Sequence, residues 1–117
     1  MATHEQQIIY KAYAAFNNRD IDTVLALLQP QVQWPNGWEG GYVQGQDAVR
    51  AYWTRQWQAI DPHVTPISIT EKTDGRQEVR VHQVVKDKQG TLLADGYVLH
   101  IYTFENGLVK KMEIDPS

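Results

Sequence analysis

The sequence predicts an α+β domain in which N-terminal helices pack on a curved antiparallel sheet and enclose an apolar pocket. Three observations support this class. Apolar residues recur at helical spacing early in the chain, apolar and polar residues alternate later, and Asp74-Gly75 and Asn106-Gly107 are strong hairpin signals. The chain has 117 residues and shows no linker or low-complexity tract, so residues 1–117 are expected to form a single domain.

Two helices are predicted in the N-terminal part of the chain. The apolar face of the first consists of residues at i, i+3, i+4 and i+7, namely Ile9, Ala12, Tyr13 and Phe16. Asp20 is a suitable N-cap for a second helix over residues 21–28. Pro30 is expected to stop this helix, because proline has no amide hydrogen to donate.

A short strand, a loop and a third helix are predicted next. Val32 and Trp34 alternate with glutamines, which suits a strand. Residues 35–46 contain four glycines and a proline, which favour a loop. Asp47 can cap a third helix that ends near Ala59.

Strands are predicted over residues 64–71, 79–85, 92–104 and 108–114. A turn at residues 87–90 would place Lys86 opposite Thr91 and define the two faces of the hairpin. The more apolar face, which should meet the helices, carries Val79, Val81, Gln83, Val85, Leu92, Ala94, Gly96, Val98, His100, Tyr102 and Phe104. A β-bulge at Lys110-Lys111 would keep Val109, Met112 and Ile114 on the same side, whereas the regular alternative would bury Lys111.

The opposite face of the sheet carries Tyr97, Leu99 and Ile101 in a row. Such a row is unusual in contact with water, so we expect a second copy of the chain to cover it and form a homodimer. On the same face, His82 and Asp95 are expected to form a cross-strand pair.

Composition argues against several classes of partner. The net charge is −3 and no cluster of Lys and Arg occurs, so neither nucleic acid nor an anionic membrane is expected to bind. The chain has no cysteine and no histidine–carboxylate spacing typical of a metal site, so no metal and no cofactor are expected. No signal core precedes the first helix, and no apolar run reaches the roughly 20 residues of a membrane span. We therefore expect a cytoplasmic location.

Three stretches carry motifs in a familiar order. They are residues 10–28, which read Tyr-Lys-Ala-Tyr-Ala-Ala-Phe-Asn-Asn-Arg-Asp-Ile-Asp-Thr-Val-Leu-Ala-Leu-Leu, residues 43–53, which read Val-Gln-Gly-Gln-Asp-Ala-Val-Arg-Ala-Tyr-Trp, and residues 102–109, which read Tyr-Thr-Phe-Glu-Asn-Gly-Leu-Val. The chain thus resembles the NTF2-like superfamily, also called SnoaL-like or ketosteroid-isomerase-like. The resemblance implies a cone-shaped fold, usually a homodimer, with a pocket between sheet and helices. Because the superfamily includes several enzyme classes and non-catalytic modules, the fold alone does not give the function.

The residues that perform ketosteroid isomerisation are replaced in this chain. By resemblance, the catalytic base falls at Asn36, the oxyanion-hole acid at His100, and the tyrosine of the first helix at Ala12, beside Tyr13. An amide cannot remove a proton from carbon, so the classical mechanism is not expected. Resemblance to members of the scytalone dehydratase type, which use pocket histidines, leaves His100 as the leading candidate.

We therefore expect His100 to act as acid or base, with Tyr13 or Asn36 orienting a substrate. The alternative for each is a structural role, as a hydrogen-bonded core histidine, a core tyrosine and a turn residue. The side chains expected to bind the ligand are Phe16, Trp34, Trp38, Trp53, Trp57, Val98, Tyr102 and Met112. Trp38 lies in the glycine-rich loop, where it could cover the mouth of the pocket.

These expectations describe a protein that binds a small hydrophobic ligand in an aromatic pocket. As an enzyme it would be a cofactor-independent isomerase, dehydratase or cyclase that works by proton transfer. The alternative is a non-catalytic dimeric association module with a vestigial pocket. An open cavity of about 300 Å³ or more around His100 favours ligand binding or catalysis, and a filled, solvent-closed interior favours the association module.

Overall fold

The computed structural model describes residues 3–37 and 39–115 and confirms the α+β class. The elements are α1 (His4–Asn17), α2 (Ile21–Leu25), β1 (Leu28–Pro35), β2 (Tyr42–Gln44), α3 (Gln46–Ala59), β3 (Ile60–Glu71), β4 (Gln77–Asp87), β5 (Leu92–Glu105) and β6 (Leu108–Asp115). One six-stranded sheet has the order β2-β1-β6-β5-β4-β3. Strands β1 and β6 are parallel, and all other neighbours are antiparallel. Within the described ranges, no helix combines the length and the apolar character needed to cross a membrane.

Side-chain caps define the starts of the first two helices. The Thr3 hydroxyl accepts a hydrogen bond from the Gln6 amide, and the Gln6 side chain accepts one from the Thr3 amide, which is a capping box. As predicted, Asp20 caps α2, where its carboxylate accepts from the amide of Thr23. Each cap satisfies amide hydrogens that have no partner inside the helix.

The predicted end of the second helix is wrong. The helix stops at Leu25 rather than at the end of residues 21–28, and Leu28 already belongs to β1. Pro30 therefore lies inside a strand. It is tolerated because the β1–β6 register shifts between Leu28 and Gln33, so no ladder pair requires an amide hydrogen at this position.

Two predictions for the middle of the chain also need correction. The predicted loop contains the three-residue strand Tyr42–Gln44, which pairs with the end of β1. The N-cap of α3 is Gly45 at φ 92° and not Asp47. A glycine adopts this left-handed conformation without a steric penalty. Asp47 lies in the first turn instead, where its negative charge interacts favourably with the helix dipole.

From Ala94 onward, the inner face of the β4–β5 hairpin has the predicted composition. The turn places Lys86 opposite Leu92 rather than Thr91, and Val85 pairs with Ala94, so Leu93 is an extra residue in β5. Together the turn and the bulge shift the pairing by two residues, and a shift of two keeps the side chains beyond Leu93 on their face. The prediction is wrong for Leu92, which lies opposite the outward Lys86. The buried members of the inner face are Val79, Val81, Val85, His100 and Tyr102.

The last strand contains the predicted bulge. The β5–β6 register shifts by one residue, and Lys110 is the extra residue. Val109 and Met112 on either side of it are therefore both buried in the core. The ammonium group of Lys110 points to the Glu105 carboxylate at 3.0 Å. The Lys110 ammonium group is therefore exposed and has an ion-pair partner, so the bulge buries no unpaired charge.

The outer face of the sheet is only partly exposed in the single chain. Tyr97 is 51% exposed and Leu99 is half-buried, whereas Ile101 is buried. The predicted pair on this face is present, with 2.6 Å between Nε2 of His82 and Oδ1 of Asp95. Coverage of this face by a second chain stays a prediction.

Candidate functional site

A cavity of about 150 Å³ lies between the helices and the inner face of the sheet. Its walls are formed by Ala12, Tyr13, Phe16, Val24, Trp34, Pro35, Gly37, Tyr52, Trp53, Gln56, Pro62, Val64, Gln83, His100, Tyr102, Met112 and Ile114. None of these described wall residues is Asp, Glu, Lys or Arg. The volume is below the roughly 300 Å³ at which pockets for drug-sized ligands begin, so the space suits a small and largely apolar molecule.

Three polar side chains in the cavity wall form a chain of hydrogen bonds. The Tyr102 hydroxyl donates to the Tyr13 hydroxyl at 2.8 Å, and the Tyr13 oxygen lies 2.7 Å from Nδ1 of His100. His100 and Tyr102 are two positions apart on β5 and so share its inner face, while α1 supplies Tyr13 from above. All three side chains are buried.

Burial determines the charge states in this chain of hydrogen bonds. It lowers the pKa of His100 to about 4, because a charged imidazolium would lose its hydration. Burial also raises the pKa of Tyr13 and of Tyr102 well above the usual value for tyrosine. At neutral pH the imidazole is therefore neutral, and both phenols keep their protons and act as donors.

The requirement that both buried hydroxyl protons have an acceptor favours one imidazole tautomer. With Tyr102 as donor to Tyr13 and Tyr13 as donor to Nδ1 of His100, both protons are satisfied, whereas the reverse order leaves the Tyr102 proton without an acceptor among the described contacts. A neutral imidazole that accepts at Nδ1 carries its proton on Nε2. In the described part of the chain, this buried Nε2 has no hydrogen-bond partner. Two other buried polar atoms lack partners, in Trp57 and Gln77, but neither residue lines the cavity.

Aromatic rings form the wall around these polar side chains. Trp53 is almost fully buried and makes edge-to-face contacts with Trp34 and Phe16, with ring centroids 5.1 Å and 5.4 Å apart. These contacts hold three large rings in fixed positions, so the cavity does not close by simple collapse. Among the described residues, no group of three His, Asp or Glu side chains could hold a metal ion.

Most of the predicted site residues line this cavity. They are Tyr13, Phe16, Trp34, Trp53, His100, Tyr102 and Met112. Trp57 and Val98 do not line it. Trp57 stacks on the far side of the aromatic cluster against Trp53, with ring centroids 6.1 Å apart, and Val98 packs against the core.

Asn36 also lies outside the cavity walls. Its side-chain oxygen accepts a hydrogen bond from the Glu39 amide at 2.9 Å, and its backbone carbonyl accepts one from the Gly40 amide. The Asn36 side chain therefore helps to shape the turn after β1. The predicted lid residue Trp38 lies outside the described residues.

Two glutamines in the walls were not predicted as site residues. Gln56 lies on α3 and Gln83 on β4, and both side chains are half-buried. Sequence signals for them existed, because Gln83 occupies an inward position of the hairpin register and Gln56 follows Trp53 by three positions on one helix. Within the described residues, no hydrogen bond engages either side-chain amide.

Comparisons with known proteins agree with the fold. The family described as SnoaL-like domain matches residues 9–112. A crystal structure of an NTF2-like protein of unknown function from Burkholderia pseudomallei has a TM-score of 0.85 and 27% identity, covering 99% of this chain and 92% of the other. A search of curated proteins found no match.

Two further structures were determined with ligands. TerC, co-crystallised with polyporic acid, has a TM-score of 0.84 and 24% identity, covering 98% of this chain and 92% of that chain. RV0760c from Mycobacterium tuberculosis, in complex with estradiol-17beta-hemisuccinate, has a TM-score of 0.83 and 16% identity, covering 97% and 93%. At these identities the similarity shows the shared fold.

Proposed function

Because this chain belongs to the SnoaL-like domain family of the NTF2-like superfamily, we propose that its cavity binds a small apolar cyclic ligand through one carbonyl oxygen. The observation that carries the proposal is the buried and unpartnered Nε2 of His100 in a wall that is otherwise mostly aromatic and aliphatic. A buried donor without a partner costs about 1–3 kcal/mol, and a ligand oxygen would remove this cost.

Tyr13 and Tyr102 have a positioning role in this proposal. Their hydrogen bonds keep Nδ1 of His100 an acceptor, so the proton stays on Nε2, the atom that we propose to contact the ligand. The solved complexes with polyporic acid and with an estradiol derivative support a ligand of this kind, since related folds accommodate ring systems that carry oxygen.

Carbonyl polarisation is the chemistry that such a site would provide. A hydrogen bond from Nε2 draws electron density from the carbonyl and acidifies the neighbouring carbon, which is the first requirement of isomerisation, dehydration or cyclisation. The described walls contain no carboxylate base; their titratable groups are His100 and three tyrosines. Binding with carbonyl polarisation is therefore proposed as the primary function, and transfer of the Nε2 proton to the ligand oxygen as its extension to turnover.

The test compares 4-phenylcyclohexanone with phenylcyclohexane, which has the same skeleton without the oxygen. Titration calorimetry with the wild-type protein should show roughly tenfold tighter binding of the ketone, because it satisfies a buried donor. His100→Asn removes Nε2 and should abolish this preference. His63→Asn, on an exposed position of β3, is the matched control and should preserve it.

Equal affinity of the wild-type protein for the ketone and the hydrocarbon would contradict the role of His100. Absence of binding for both compounds would contradict the proposed function and would favour the association module.

A further inference from the structure

The cavity walls contain two further polar side chains, Gln56 and Gln83, which the His100 site does not use. We infer that Gln56 and Gln83 bind a second polar group of the ligand, so that the protein selects molecules with oxygen at both ends of an apolar skeleton. This inference rests on the proposed function, since it concerns the other end of the same cavity. Neither glutamine amide has a hydrogen-bond partner in the described chain, and each offers two donors and an acceptor.

The strand register sets the separation of the two ends. His100 pairs with Val79, which is four positions from Gln83 along β4. At a rise of about 3.3 Å per residue, the two backbone positions are about 13 Å apart along the strand. The two ends therefore contact opposite ends of a ligand and cannot bind neighbouring groups on one carbon.

The glutamine end lies toward β3. Gln83 pairs with Val64 on that strand, and Gln56 lies four residues before Ile60, where β3 begins. Val64 also lines the cavity, so β3 contributes to the same walls as the two glutamines.

The β5 residue opposite Gln83 is Gly96, which is exposed and lies outside the cavity walls, and an added Cβ there would meet nothing within 4 Å. The opposite position on β5 therefore supplies no side chain that would cover Gln83. In a wall without charged side chains, an amide suits a neutral hydroxyl or carbonyl better than a carboxylate or an ammonium group.

The experiment uses 4-phenylcyclohexanone and 4-(4-hydroxyphenyl)cyclohexanone. They share the ketone for His100, and only the second carries a hydroxyl at the far end of the phenyl ring. In titration calorimetry the wild-type protein should bind the hydroxylated ketone roughly three- to tenfold more tightly, which corresponds to one neutral hydrogen bond. The single variants Gln83→Met and Gln56→Met should lose part of this gain, and the double variant all of it.

Methionine has a similar length and volume but no amide, so both variants should keep their affinity for 4-phenylcyclohexanone, which also shows that they fold. Gln58→Met, at an exposed position of α3 outside the cavity walls, is the matched control and should keep the full gain.

Equal binding of the two ketones by the wild-type protein would overturn the inference, as would an undiminished gain in the double variant. In both cases retained binding of 4-phenylcyclohexanone leaves the proposed function standing. If neither ketone binds the wild-type protein, the proposed function and this inference fail together.

Discussion

Acid should destabilise this protein through one buried side chain, His100. Burial lowers its pKa in the folded state to about 4, whereas the ordinary value, which applies to the unfolded chain, is 6.5. Between these two pH values the imidazole of His100 is protonated in the unfolded chain and neutral in the folded chain. Stability is therefore fully present above pH 6.5 and is lost as the pH falls toward 4.

The size of the effect follows from the two pKa values. Each unit of difference corresponds to 1.36 kcal/mol, so complete protonation would remove about 3 kcal/mol of unfolding free energy. At pH 4.5 most of this loss is already present, and about 2 kcal/mol should be missing relative to pH 7. This is a large fraction of the 5–15 kcal/mol that stabilises a typical domain.

Urea denaturation at pH 7 and pH 4.5 measures this loss, and His100→Asn isolates it. Asn places its side-chain oxygen near the position of Nδ1, so the Tyr13 hydroxyl keeps an acceptor while the titratable group is removed. All other side chains are common to both proteins, so their contributions cancel in the comparison. The wild-type protein should lose about 2 kcal/mol more than the variant. The control His63→Asn should behave as the wild-type protein does.

An equal loss of stability in the wild-type protein and in His100→Asn would refute this reasoning. It would mean that His100 is either hydrated or already compensated by a partner in the folded state. There would then be no reason to assign a neutral imidazole with an unpartnered donor at Nε2.

Three further predictions concern the packing of the chain. Trp53→Ala should lower the unfolding free energy by about 3–5 kcal/mol in urea denaturation, because an almost fully buried ring is removed. Deletion of Lys110 removes the extra residue of β6 but leaves Val109 opposite Phe104 and Met112 opposite Tyr102, so both the deletion and Lys110→Ala should keep the core and should cost less than about 1 kcal/mol in the same assay. If a second copy covers the outer face, sedimentation should show a dimer for the wild-type protein and a monomer for Tyr97→Lys, and a wild-type monomer at micromolar concentration contradicts the prediction.

The residues on the inner face of the sheet could be predicted although the predicted β4–β5 register was wrong, because a shift by an even number of residues leaves side chains on the same face. The turn and the extra Leu93 together move the β4–β5 pairing by two residues, so the side chains from Ala94 onward stay on their predicted side. The bulge at Lys110 was predictable for a related reason. Regular pairing would have buried a lysine between apolar neighbours, which is a large and local penalty.

The end of α2 depended on information that is not local. Pro30 reads as a helix stop, but its actual position is a strand in which the neighbouring β6 requires no amide hydrogen. That requirement is set by a strand at the other end of the chain. Sequence periodicity around Pro30 therefore could not distinguish the two cases.

The candidate site was predictable as a set of residue types and not as a set of contacts. His100 and Tyr13 could each be placed on an inward face, but their hydrogen bond depends on how α1 packs over β5. Gln83 was placed on the same face, yet an inward glutamine carries no signal that separates a wall residue from a packing residue. Only the cavity distinguishes these roles.

The same burial that weakens His100 as a base strengthens it as a donor. A base works best when its pKa lies near the working pH, and the pKa of about 4 leaves the empty site with little tendency to take a proton. A hydrogen bond from Nε2 gains strength in the same low dielectric, and most when negative charge develops on the ligand oxygen. That charge would also raise the pKa of the imidazole toward neutrality, because an opposite charge favours the protonated form. The site is therefore arranged to stabilise negative charge on the ligand oxygen through a proton that Nε2 already carries, which is what carbonyl polarisation requires.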